Sequence, residues 1–406
     1  MRVMVINSGS SSIKFRLVDI VEEDKGKLTT GPPLIDGAVK GIGGLARFEV
    51  REQDGGHSAA TLEARDHGQA LRVLFGRLAG SLGQVEAVGH RVVHGGEQYV
   101  EATLITKEVE SGIDALSELA PLHNPACLAG IRGAKEVFGP RVPMVAVFDT
   151  AFHRTMPEVA RHYALPRELA DRHQIRRYGF HGIAHASLAD GAAACLGKPL
   201  EQLRLVTLQL GNGCSIAAVE QGRSVETSMG FTPLEGLVMG TRSGDVDPSI
   251  VSYLSEREKV DAAEVEQWLN ERSGLLGLSG RSNDMRELLR AAEQEQDTRA
   301  QLAIDLFCYR ARKYLGAYLA LLGGADAVVF GGGIGEHAPQ IRDRVCANMQ
   351  WCGLTLSPDR NRAAVGLSAG SAAKISTDES LLGAYVVAAD EETWIARETV
   401  RCIREA

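Results

Sequence analysis

The sequence predicts an α/β protein built from two similar domains, and three observations carry that reading. At 406 residues the chain is long enough for two separate hydrophobic cores. Strand-like and helix-like periodicities alternate along it. A hairpin with a loop of small residues occurs twice, as "VINSGSSSIKF" (5–15) and within "RLVTLQLGNGCSIAAVEQG" (204–222).

In chain order, Val3–Ile6 and Ile13–Ile20 read as paired strands, the second setting Ile13, Phe15 and Leu17 against Lys14, Arg16 and Val18. The region from Val21 to Ala64 is rich in Gly, Asp and Glu and reads as further strands joined by exposed turns, "DGG" (54–56) among them. "GQALRVLFGRLAGSL" (68–82) places Leu71, Leu74, Leu78 and Leu82 on one helical face, and Ala300–Leu322 repeats that period. "AVGHRVVH" (87–94), "VPMVAVFD" (142–149) and "ADAVVFGGG" (325–333) read as strands. Laid over the first hairpin at an offset of 203, Ser12 and Ile13 fall on Ser215 and Ile216, and Ser8–Ser10 on Gly211, Asn212 and Gly213. The second repeat then places a domain boundary near residue 150.

Composition narrows the function. Hydrophobic residues at 44% and charged residues at 24% are those of an ordinary globular protein. A net charge of -8 leaves no basic excess for nucleic acid. Met1–Ile6 is too short for the apolar core of a signal peptide, and no uncharged run is long enough for a membrane helix. Seven scattered cysteines without a C-x-x-C pair read as reduced thiols of a cytoplasmic protein.

Successive backbone N–H groups in a small-residue loop form a concave anion site, although either hairpin taken singly is also just a tight turn. "GHRVVHGGE" (89–97) reads as a strand ending in a loop that carries Arg91 and His94, and "GTRSGDVDP" (240–248) presents Arg242 in a turn. Guanidinium groups beside phosphate-binding loops suit phosphoryl transfer, whose transition state spreads charge over the equatorial oxygens. Alone, each arginine reads equally as solvated surface. His123, His153, His181 and His185 cluster mid-chain; the i, i+4 pair His181 and His185 raises zinc, but the Glu of H-E-x-x-H is missing. "FGGGIGEH" (330–337) follows a strand and opens a helix, a position suited to nucleotide phosphates. It is not a dinucleotide fingerprint, because Glu336 stands where the last glycine belongs, and the chain holds no P-loop.

Ten segments in order, "INSGSSSIKF", "HRVVHGGE", "PLHNP", "FDTAFH", "RRYGFHG", "LGNG", "FTPLEGLVMGTRSGDVDP", "SGLLGLSGRSNDMREL", "GGIGE" and "DEETWIARET", resemble the acetate kinase family from residue 5 to 400. The resemblance implies the superfamily of sugar kinases, actin and heat-shock chaperones: two ribonuclease H-like domains of duplicated topology with an interdomain active-site cleft. Residues 1–150 would form the acyl and phosphoryl side, joined by the C-terminal helix 391–406, and residues 151–390 the nucleotide domain. The implied reaction is Mg²⁺-dependent transfer of the ATP γ-phosphoryl group to acetate, giving acetyl phosphate and ADP, by a cytoplasmic homodimer. Mn²⁺ can stand in for Mg²⁺ in such sites.

By the same resemblance Arg91, His123, Asp149, His181 and Arg242 are the catalytic set. Val93, Leu122, Phe180 and Pro233 would surround the acyl methyl beside Arg91, and Asn7 and Glu391 would place the metal. ATP would meet Ser10, Ser12, Lys14, Gln209, Leu210, Gly211, Asn212, Gly213, Asp284, Met285, Arg286, Gly333, Ile334, Gly335, Glu336 and His337. A general-base role for Asp149 makes poor physical sense, since a carboxylate substrate is already ionised at neutral pH. Asp149 is expected instead to orient an arginine or a metal-bound water. Four residues depart from the family's common pattern: Gln209 for histidine, His337 for asparagine, Ile183 and Ala184 for a Thr-Ser pair, and Asp390 for asparagine. Two other readings remain at this level, a propionate or other short-chain acyl kinase, and a non-catalytic ATP-binding protein of the same superfold.

Overall fold

The computed structural model describes all residues except Ser10, 24–27, 79–83 and Leu122; the readings made for Ser10, Leu82 and Leu122 therefore lie outside the described residues. The chain divides into two compact units, Met1–Phe152 with Asp390–Ala406, and His153–Ala389.

In the first unit, β1 (Arg2–Gly9) and β2 (Ser12–Glu22) form the expected antiparallel hairpin. The chain continues through β3 (Leu28–Thr30), β4 (Ile35–Lys40), β5 (Gly44–Glu52) and β6 (His57–Ala64), the strands expected between Val21 and Ala64. It then adds β7 (Ala87–Val92), β8 (Thr103–Leu104) and β9 (Met144–Phe148). The sheet order is β6-β5-β4-β2-β1-β7-β9-β8, with β3 on β2. β7 and β9 join parallel to β1, so the centre is buried on both sides, and Val3, Met4, Val5 and Ile6 are each 0% exposed. Helices His67–Leu78 and Asn124–Phe138 pack together, the first through the predicted Leu71, Leu74 and Leu78. Helix Glu391–Glu405 lies on β1 and β7, close enough that a Cβ on Gly89 would stand 2.3 Å from Thr399 Oγ1.

The second unit repeats the plan. β10 (Arg204–Leu210), β11 (Cys214–Glu220) and β12 (Arg223–Thr227) form an antiparallel meander. β13 (Ala327–Gly331) and β15 (Gly383–Val387) extend it parallel to β10, with β14 (Ala372–Lys374) antiparallel at the edge. The order β12-β11-β10-β13-β15 matches β4-β2-β1-β7-β9. The duplication thus holds in topology, but a single offset does not survive. Gly9 and Ser12 face each other, whereas Ser215 pairs with Gln209, because the second hairpin turns through Gly211, Asn212 and Gly213.

Candidate active site

In the first unit the candidate residues cluster where parallel strands end. Ile6 lies beside His90, which puts Asn7 level with Arg91, and Arg91 pairs with Val147, two residues before Asp149, so the three lie close together at the ends of β1, β7 and β9. Carboxyl ends of adjacent parallel strands are where open α/β sheets bind ligands. Arg91 lies within strand β7, inside the run 87–94 expected to be extended, and its backbone pairs with Val147 in the ladder, so the loop begins only after Val92.

Arg91 donates Nε (3.0 Å) and Nη2 to Asp149 Oδ2, and Nη1 to Asn7 Oδ1 at 3.2 Å. Burial opposes the Arg91 charge, but Asp149 outweighs it and holds the guanidinium above its usual range. Asp149 is 1% exposed, and among the described residues its Oδ1 has no hydrogen-bond partner. Glu391 begins the C-terminal helix; burial and Asp149 push it up to about 7 against the pull of Arg91 and Lys14. Asn7, Asp149 and Glu391 therefore offer hard oxygen atoms, one of them the orphaned Asp149 Oδ1, a donor chemistry that fits Mg²⁺. Asp390 caps that helix through Thr393 N at 3.1 Å and pairs with Arg16, so its charge is already met.

Lys14 is exposed on β2, opposite Asn7, and Ser12 begins that strand. Val93 is buried just beyond β7. His123 caps helix Asn124–Phe138, where Asn124 clamps the loop after β7, accepting from His94 N and donating to His94 O, both at 3.1 Å.

In the second unit, the three segments expected to meet ATP line one cavity of about 680 Å³: Gly211 and Asn212, then Asn283–Arg286, then Gly333, Ile334 and His337. Asn283 Nδ2 bridges two of them by donating to Asn212 Oδ1 at 3.2 Å. Asp284 caps helix Met285–Gln294, accepting from Arg286 N at 2.9 Å. Gly332 takes φ +74°, and a Cβ there would meet Leu210 O at 2.6 Å, so only glycine joins β13 to the short helix Gly332–His337. Arg342, 0% exposed, donates to Gly335 O (2.8 Å), Glu336 O (2.9 Å) and Asn361 Oδ1 (2.7 Å), and burial pulls its pKa down to about 10. Gln209 keeps Oε1 buried without a partner among the described residues.

Beside this cavity, a Cβ on Gly213 would stand 3.3 Å from His181 Nε2 and 3.8 Å from Arg242 Nη1. Arg242 Nη1 also donates to Pro233 O at 3.2 Å, and burial pulls the pKa of Arg242 down. His181 caps helix Gly182–Leu196 in the left-handed region, φ 59°. Backbone strain of that kind turns up at functional sites. The loop before it is pinned by His153, whose Nε2 donates to Phe180 O at 3.0 Å while Nδ1 bonds Ser224 Oγ at 2.8 Å. Arg177 anchors the strand that leads to Pro233, donating to Thr227 O (3.3 Å), Met229 O (3.2 Å) and Glu235 (2.6 Å). Ile183 and Ala184 are each 2% exposed and pack into the core. The i, i+4 pair raised for zinc converges on a hydroxyl: His181 Nδ1 and His185 Nε2 lie 2.9 and 2.8 Å from Ser215 Oγ.

Sequence reasoning missed Asn283, Arg342, and the service of Ser215 and Thr207 to the histidines. Asn283 had a signal, standing directly before the D-M-R segment. Arg342 had none, because an arginine in a helical stretch ordinarily points to water.

Comparisons with known proteins bear on the family and the fold. The sequence profile of the Acetokinase family matches residues 2–397. An acetate kinase from Solibacter usitatus is 48% identical over 99% of this chain and 98% of its own. The crystal structure of Porphyromonas gingivalis acetate kinase superposes with a TM-score of 0.89 at 38% identity, covering 99% of both chains. A propionate kinase structure from Francisella tularensis gives 0.88 at 38%, covering 98% of this chain and 99% of that one. With its duplicated sheets and its matched length, the chain belongs to the acetokinase family.

Proposed function

We propose that the protein is an acetate kinase, transferring the γ-phosphoryl group of ATP reversibly and in line to the carboxylate of acetate, with acetyl phosphate and ADP as products. The observation that carries this reading is the convergence of His181 Nε2 and Arg242 Nη1 on Gly213, next in chain to the cavity residues Gly211 and Asn212. A donor and a cation beside a phosphate loop serve a transition state whose charge lies on the equatorial oxygens.

In this reading the cavity takes the nucleotide through Leu210–Gly213, Asp284–Arg286 and Gly333–His337. Gln209 would donate to the nucleotide through its Nε2–H, its buried acceptor Oε1 having no partner among the described residues. Arg91, held in place by Asp149, binds the acetate carboxylate through the guanidinium fork. Ser12 and Lys14 would also contact ATP, and His123, Val93, Phe180 and Pro233 would contact the acyl group, as the family resemblance implies. Mg²⁺, with Asn7 and Glu391 as its protein ligands, would neutralise charge on the ATP phosphates. The protein works as a homodimer, which light scattering on the purified chain checks.

The test is a hydroxamate assay with ATP and Mg²⁺, comparing acetate, propionate and butyrate by kcat/KM. One methylene is worth about 1–3 kcal/mol, roughly 10- to 200-fold. Acetate should lead, because Val93 narrows its side of the pocket more than alanine would. A lead for propionate would shift the assignment to the Francisella-type activity, and turnover of none would remove it.

A further inference from the structure

Four side chains of the second unit form one unbroken hydrogen-bonded line. Thr207 Oγ1 lies 2.8 Å from His185 Nδ1, His185 Nε2 lies 2.8 Å from Ser215 Oγ, and Ser215 Oγ lies 2.9 Å from His181 Nδ1. Thr207, His185 and Ser215 are each 0% exposed. Among the described residues, neither hydroxyl makes another hydrogen bond. Each hydrogen in the line must then find its acceptor within the line or be left buried and unbonded, which is costly.

That accounting selects one direction. If Thr207 donates to His185 Nδ1, then His185 Nε2–H donates to Ser215 and the Ser215 hydroxyl donates to His181 Nδ1, with no hydrogen left over. If the line runs the other way, the Thr207 hydroxyl hydrogen is stranded. If both imidazoles donate to Ser215, the serine hydrogen is stranded instead. Independently, burial and the nearby His153 and His181 hold the His185 pKa well below its ordinary value, as a neutral link requires.

We infer that Thr207, His185 and Ser215 are positioning residues that hold His181 in its Nε2–H form, so that the face turned to Gly213 and Arg242 presents a hydrogen-bond donor. Resting on the phosphoryl-transfer reading, this makes His181 a fixed neutral donor to an equatorial oxygen, while Arg242 supplies the charge. The His181 proton stays on Nε2 throughout, and no proton moves along the line.

The experiment is a two-bond ¹H–¹⁵N correlation spectrum of the full-length protein labelled at histidine, with His181 assigned from the spectrum of a His181→Gln variant. Wild-type His181 should show a protonated Nε2 and a bare Nδ1. Thr207→Val keeps the strand shape but removes the first donor; it should mix the tautomers and lower kcat about tenfold, with KM for ATP within about twofold. Thr207→Ser should restore both readouts, and Ser215→Ala should reproduce the loss from a second position. A protonated Nδ1 in the wild type, or a Thr207→Val protein with unchanged spectrum and kcat, overturns the inference. Because the spectrum needs no turnover, it decides the relay even if no acyl substrate is found.

Discussion

At the scale of single residues, the chemistry depends on how neighbours hold each charged group. Asp149 spends Oδ2 on two nitrogens of Arg91 and is buried where a substrate proton would have no reason to arrive. Its service to Arg91 predicts that Asp149→Asn, which keeps the shape but removes the charge, lowers kcat/KM for acetate about 100-fold. The acidic limb of the pH profile should not move. A limb that vanished in the variant would make Asp149 a base and end the orienting role.

At the scale of elements, the cavity of the second unit is shaped from beneath. The last carbonyls of the short helix Gly332–His337, at Gly335 and Glu336, are bonded by Arg342 from the next helix, Pro339–Cys346. Arg342 also ties in Asn361, so one guanidinium fastens three pieces of chain. Replacing it by leucine strands several buried acceptors and should destabilise the protein by about 3 kcal/mol. In the proposed reading KM for ATP should rise while KM for acetate stays, because Arg342 supports the short helix that carries Gly333, Ile334 and His337 of the cavity wall. Calorimetry and steady-state kinetics on Arg342→Leu check both, and an equal rise in the two constants would contradict the assignment.

At the scale of the whole molecule, buried imidazoles link stability to pH. His90 is 2% exposed at the centre of the first sheet, and burial, with Lys135 nearby, lowers its pKa from 6.5 to about 3. Because the folded value lies below the unfolded one, the unfolded chain binds the proton first. His90 therefore contributes its full stability above pH 6.5 and loses it as pH falls from 6.5 toward 3, by roughly 1.4 kcal/mol per pH unit. Several raised carboxyls, Glu391 among them, work in the opposite sense, so the comparison must isolate one group. Relative to wild type, His90→Leu should gain about 2 kcal/mol in denaturant unfolding between pH 7.5 and pH 5. A difference between the two proteins that ignores pH would show that His90 protonates as easily folded as unfolded.

Local features were legible without coordinates. The alternation of Ile13, Phe15 and Leu17, the leucine stripe at 71, 74 and 78, and the two small-residue hairpin loops each encode their structure within a few residues. Those loops and the ordered motifs around them also located most of the candidate site. Partners distant in the chain were not legible. Arg16 meets Asp390 across 374 residues, which turned a doubtful substitution into an ordinary helix cap, and Asn283 finds Asn212 across 71. Arg91 meets Asp149 across 58 residues, a pairing that neither strand's own pattern announces. The sequence by itself determined the period of each element and the chemistry of each loop, because those follow from neighbouring side chains. Only the tertiary structure decided which imidazole meets which hydroxyl, and that an arginine at 342 is buried, because strand order and register bring distant residues within hydrogen-bond reach and no local pattern encodes that distance.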